Sequence, residues 1–226
     1  MPAHQFPVGT VMPMKRRLSL LAWAAREEGR YLLEDDYDSE FRYKGKPIPA
    51  LQGFDNAQRV IYLGTFSRAI APSIRVSYMV LPESLMPQYL RSGKNFSATV
   101  SKTDQKILEV FLREGYFERH LNRMRALYKT KHDLLMRQLK AFQGICTVSG
   151  EHAGVHVLLK LTNGLSGREA IRLAAGAGIR VYCLKDYYIR ETETRDDTVM
   201  IGYAAMPEEE IPKACEALRK AWTHIG

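Results

Sequence analysis

Three short apolar runs, Arg30–Glu34, Arg59–Gly64 and Arg75–Leu81, each close on polar or turn-forming residues, and this pattern constrains the fold more than any other feature. A strand that is apolar along its whole length expects burial on both faces, which is the habit of sheets flanked by helices. The segment Met14–Glu28 supplies a first helix: Leu18, Leu21, Ala22 and Ala25 share one face, and Gly29 is a suitable stop. The sequence therefore predicts an α/β layer. Its polar residues gather at the C-terminal ends of the strands, where open α/β sheets place their ligands.

The character changes after Pro82. Ser84 to about Phe142 reads as mainly helical, with breaks near Gly93 and Gly115. Strands come next over Cys146–Leu161, around Gly150 and Gly154, then a helix over Ser166–Ala175 with Ser166 as N-cap and Glu169 at the capping-box position. Arg180–Leu184 and Thr198–Ala204 read as strands, and Pro207–Ile225 as a closing helix. The expected division is a large-domain part over residues 1–95, then linking helices and a C-terminal α+β small domain over 96–226.

Composition narrows the classes. The three cysteines, Cys146, Cys183 and Cys215, are scattered, which fits reduced thiols in a cytoplasmic protein better than a disulfide framework. No apolar run is long enough to span a membrane, and the N-terminal residues lack an export signal. The net charge of +8 is concentrated on one helical stretch, including Arg119, Arg123, Arg125 and Lys129. Apolar residues recur at helical spacing through that stretch, so the charge reads as a solvated face, with no nucleic-acid module to direct it. His152 and His156 share a strand face but stand too far apart for one ion, and no metal is expected.

Three clusters carry the chemistry. The first, Glu34-Asp35-Asp36-Tyr37-Asp38, offers a carboxylate that can hold a protonated ring nitrogen and a phenol that can meet a ring oxygen. The second, Thr65-Phe66-Ser67-Arg68 followed by Arg75, combines hydroxyls, backbone N–H groups and guanidinium in a way that suits phosphate. The third, His4-Gln5-Phe6-Pro7-Val8-Gly9, adds a side-chain amide and a turn.

Together these motifs resemble fold type I, pyridoxal-phosphate-dependent aminotransferases of class I/II. They look most like the aminotransferase-like domain of MocR-type regulators in the GntR family. The resemblance rests on His4–Gly9, the run Glu34–Phe41, Gly64-Thr65-Phe66-Ser67-Arg68, Arg75, Ser77–Pro82 and Ala153-Gly154-Val155-His156. It implies a partial large domain, built on a mostly parallel sheet with helices, and a C-terminal small domain. It also implies roles. Asp35 would keep the pyridine nitrogen protonated, Tyr37 would bond the ring oxygen, and Gln5 would lie near the same edge. Thr65, Ser67 and Arg75 would hold the phosphate. Position 68 would be the catalytic lysine that bonds the cofactor's aldehyde.

Here that position is Arg68. A guanidinium stays protonated at physiological pH and cannot replace the amine as nucleophile. It can still contact a noncovalently bound pyridoxal phosphate. Lys44 and Lys46, in the loop between the first two strands, are not obvious substitutes. The expectation is an effector domain that senses pyridoxal phosphate or its amino-acid adduct, paired as a homodimer and joined to DNA only through another domain. An active aminotransferase and a cofactor-free dimerisation module are the alternatives. The early part of the large domain is missing from the resemblance, so exposed apolar sheet surface is expected.

Overall fold

In the computed structural model, residues 1–42, 49–93, 95–97, 99–189 and 197–223 are described; Lys44, Lys46 and the last two residues of the expected closing helix, 224–225, lie outside them. The chain divides into two compact units. The first comprises Met1–Gln5, Val11–Glu40 and Gly45–Met124; the second comprises Phe6–Thr10, Phe41–Lys44 and Arg125–Gly226.

In the first unit, helix α1 (Met14–Ala25) precedes strand β1 (Leu32–Asp36), strand β2 (Val60–Thr65), the short helix α2 (Phe66–Ala69) and strand β3 (Ser77–Val80). Helices α3 (Met86–Gly93), α4 (Lys102–Arg113) and α5 (Tyr116–Leu139) come after them, α5 running on into the second unit. The strand order is β1-β2-β3. β1 and β2 are parallel, with Asp35 opposite Leu63, whereas β3 returns antiparallel with Met79 opposite Leu63. The antiparallel return has a geometric cause: the α2 turn is too short for the crossover that a parallel neighbour requires.

This register sorts side chains by face. Leu32, Glu34 and Val60 lie on one side, where Leu21 of α1 and Leu51 pack against Val60 to form a small core with Leu32 and Phe54. Leu33, Asp35, Leu63 and Met79 lie on the other. That face is not covered by the described residues: Leu33 is 69% exposed and Met79 44%. The expectation of burial on both faces thus fails for one face, and exposed apolar sheet surface is present. Arg17 ties the unit together from inside, its guanidinium donating to the carbonyls of Met12, Pro49 and Pro2 at 3.0, 2.8 and 2.7 Å. Trp23 is 45% exposed rather than packed inward, with the Arg30 guanidinium 4.7 Å over its ring.

The second unit is an antiparallel sheet of β4 (Cys146–Ser149), β5 (His156–Leu161), β6 (Tyr182–Cys183) and β7 (Thr198–Gly202), ordered β4-β5-β7-β6. Helices α6 (Gly167–Gly176) and α7 (Glu210–Thr223) enclose a core around Val157, Leu159, Val199, Ile211 and Trp222. Cys146 and Cys215 lie in that core, and burial pushes both thiols up to about 11. Both therefore stay protonated and unreactive at neutral pH.

The capping box of α6 forms as expected: Ser166 accepts from the Glu169 N–H, and the Glu169 side chain accepts from the Ser166 N–H. Ser166→Ala should lower the stability of this unit by about 1 kcal/mol. Urea melts followed by circular dichroism will measure it, and an unchanged midpoint would show that the cap contributes nothing.

Candidate functional site

The acidic run at the end of β1 looks redundant as sequence, but each carboxylate has its own task. Glu34 is buried and accepts from the Leu51 and Gln52 N–H groups at 2.7 and 2.9 Å, closing the start of a short 3₁₀ turn. Asp36 accepts from the Tyr62 hydroxyl at 2.8 Å and from the Ser39 hydroxyl at 2.7 Å. Asp38, 1% exposed, meets the Nδ1 of the equally buried His4 at 2.7 Å. These three alternate with Asp35 and Tyr37, as the two-residue period of extended chain requires. Asp35 alone of the acidic residues in this run is exposed, on the open face of the sheet.

Tyr37 is half-buried, and its hydroxyl lies 3.1 Å from His4 Nδ1. Its phenol is pushed well above the ordinary tyrosine range. Burial is the main cause and the charge of Asp38 the next; Arg68 opposes the shift, and Asp35 adds to it. Asp35 and Arg68 thus both act electrostatically on Tyr37, although 33 positions separate them in sequence (68 − 35). Gln5 is exposed beside His4 in sequence.

At the end of β2, Thr65 caps α2 by accepting from the Ser67 N–H at 3.2 Å and donates to the Val76 carbonyl at 3.4 Å. The Ser67 hydroxyl donates to the Ile74 carbonyl and accepts from Arg75 Nη1 at 3.5 Å. The turn therefore uses both hydroxyl protons internally. Arg68 and Arg75, both exposed, are the cationic donors that face solvent there. A Cβ at Gly64 would meet the far end of the Tyr78 ring, which packs against Phe66 with 5.3 Å between centroids, so a side chain there would force that half-exposed ring to shift.

The donor set can be tested against a phosphorylated pyridine. An exposed carboxylate for a protonated ring nitrogen, a phenol beside it and two guanidinium groups for a phosphate match the ring and its charge. An amine for the aldehyde is not among them; residue 68 is an arginine. The residues fit the group as a noncovalent ligand.

The sequence reading did not find the His4–Asp38 pair. Its one available signal was the period-two alternation of Glu34, Asp36 and Asp38 against Asp35 and Tyr37, which marks the even positions as inward-facing. In the second unit, His156 Nε2 lies 3.2 Å from the Pro7 carbonyl and its ring packs edge-on against Phe6 at 5.7 Å. Among the described residues no cluster of His, Cys, Asp and Glu is arranged to hold a metal ion, and no helix is long and apolar enough to cross a membrane.

A parallel strand pair carrying polar groups at its C-terminal ends, with a separate antiparallel α+β unit, defines the class: part of a fold type I aminotransferase domain. Solved structures agree. An archaeal alanine:glyoxylate aminotransferase superposes with a TM-score of 0.84 at 25% identity, covering 100% of this chain and 56% of that one. The multiple substrate aminotransferase of Thermococcus profundus gives 0.83 at 25% identity, covering 97% and 54%.

The family pattern for aminotransferase class I and II matches residues 5–218, and the chain belongs to that family. It is 43% identical to the HTH-type transcriptional regulator YhdI of Bacillus subtilis, over 99% of this chain and 47% of the relative. It is 33% identical to the probable rhizopine catabolism regulatory protein MocR of Rhizobium meliloti, over 98% of this chain and 44% of that protein. The chain spans about half the length of the curated relatives it matches.

Proposed function

We propose that this chain is part of the effector domain of a MocR-type regulator of the GntR family, receiving pyridoxal phosphate or its amino-acid adduct without a covalent bond. The observation that supports this most is the parallel pairing of β1 and β2, which sets Asp35 and Tyr37 at the end of one strand beside α2 with Arg68 at the end of the other, and Arg75 at the adjoining turn. Asp35 would hold a proton on the ring nitrogen, and Tyr37 would meet the ring oxygen with Gln5 near the same edge. Arg68 and Arg75 would bind the phosphate or the ring oxygen, with Thr65 and Ser67 shaping the turn. When bound, the cofactor supplies an electron-withdrawing ring. Without a lysine at position 68, this chain's residues bind and orient that ring but do not activate its aldehyde. In this reading the protein works in the cytoplasm as a homodimer, and reaches DNA through a separate domain.

The test is a titration with pyridoxal phosphate, read by absorbance and then by intact mass after borohydride reduction. Saturable binding with unchanged mass is expected. A mass increase mapped to a lysine at the site would restore the aminotransferase reading. Absence of binding would leave a cofactor-free module.

Asp35→Ala should weaken that binding about tenfold, the scale of one lost charge-assisted contact. Equal affinity in the variant would remove Asp35 from the site.

A further inference from the structure

The pair His4–Asp38 is buried beneath a residue of the candidate site, yet no role proposed so far uses it. Both side chains are about 1% exposed, and they join segments 34 positions apart (38 − 4). An ionised carboxylate only accepts hydrogen bonds, so the imidazole nitrogen 2.7 Å from Asp38 carries the proton. That nitrogen is Nδ1, and the Tyr37 hydroxyl lies 3.1 Å from the same atom. A nitrogen that already bears hydrogen cannot accept the phenolic proton. The Tyr37 O–H is therefore directed to Asp38, and its oxygen accepts a share of the Nδ1–H. The His4 and Tyr37 rings lie 6.1 Å apart, tilted by 31°.

We propose that His4 and Asp38 are positioning residues for Tyr37, fixing its phenol in the neutral state with the proton turned inward and a lone pair turned outward. Tyr37 then presents an acceptor at the site, with Asp35 also accepting and Arg68 supplying the donors. A ligand hydroxyl would donate to Tyr37, and anionic oxygens would go to Arg68. A ring hydroxyl that keeps its proton would thus be preferred at the Tyr37 edge. This ligand-facing part rests on the reading that Tyr37 meets a bound pyridine; the coupling of Tyr37 to Asp38 does not.

The test separates the two. Carbon-13 labelling at tyrosine Cζ gives one signal per tyrosine, and the Tyr37 signal is the one lost in Tyr37→Phe. Its titration is recorded in the wild-type chain, Asp38→Asn, Asp38→Glu and His4→Gln. Affinity for pyridoxamine 5′-phosphate, which cannot form an adduct through an aldehyde, is measured in parallel. The charged groups acting on Tyr37 are Asp38, Arg68 and Asp35, of which only Asp38 is changed.

The expected result is that Tyr37 titrates above the ordinary range in the wild type and falls toward it in Asp38→Asn. Asp38→Glu and His4→Gln, which keep the charge and a donor respectively, should largely retain it. Affinity should drop about tenfold in Asp38→Asn, the scale of one hydrogen bond to a charged group. A Tyr37 titration identical in wild type and Asp38→Asn overturns the proposal. If Asp38→Asn does not fold, His4→Phe against His4→Gln decides, and equal Tyr37 titration in those two overturns it. Failure of the wild-type chain to bind pyridoxamine 5′-phosphate defeats the cofactor reading alone, and a Tyr37 shift in Asp38→Asn still supports the coupling.

Discussion

The variant Arg68→Lys, mixed with pyridoxal phosphate, is expected to acquire a borohydride-stable mass increase at position 68 that the wild-type chain does not. Arg68 is exposed in α2 at the end of β2, and its charge is felt by Tyr37. A lysine there would place an amine where the guanidinium stands. The Arg75 guanidinium at the same turn is a like charge that favours the unprotonated amine, the form that attacks an aldehyde. A covalent link added to the same noncovalent contacts should tighten apparent binding by about tenfold or more, equivalent to about 1.4 kcal/mol. The absorbance of the bound cofactor should shift with it. If Arg68→Lys gives the wild-type spectrum and mass, the pocket is not assembled by this chain alone. The uncovered sheet face bearing Asp35 and Leu33 would then be the first place to look.

Trp222→Ala is expected to cost the second unit about 3–5 kcal/mol, the range for truncating a buried large aromatic. Trp222 is 0% exposed, its indole N–H donates to the Ala170 carbonyl at 3.0 Å, and Phe142 meets its ring edge-on at 6.1 Å. The substitution removes the side chain joining α7 to α6 and leaves that carbonyl without its indole donor. A domain is stable by only about 5–15 kcal/mol in total, so the loss is a large share. The only other tryptophan, Trp23, gives the control, since it is 45% exposed in the first unit. Trp23→Ala should cost less than about 1 kcal/mol. Urea melts by circular dichroism will compare them, and equal midpoint shifts would contradict this account of the core.

The helices were the most legible part of the sequence, because their signals are local. Ser166 and Glu169 stand three positions apart and announced the start of α6. Gly93 and Gly115 marked the ends of α3 and α4 to within two residues. Strand positions were also legible from apolar runs, with ends shifted by a residue or two: Arg30–Glu34 became Leu32–Asp36, and Arg75–Leu81 became Ser77–Val80. Strand direction was not legible. Nothing in Ser77–Val80 states that it runs against β2, a property set by the short connection through α2.

The sequence by itself determined the α/β and α+β character of the two parts and the family motifs. It also showed that position 68 carries a guanidinium and not an amine, since residue chemistry requires no coordinates. Only the tertiary structure decided which carboxylate of Glu34–Asp38 is open to solvent, that His4 is buried against Asp38, and that one sheet face is left uncovered by the described residues. The reason is the range of the interactions. Propensity, capping and side-chain chemistry are written within a few neighbouring residues. Pairing His4 with Asp38, or exposing Leu33 and Asp35 together, depends on how distant segments pack, and no local pattern encodes that.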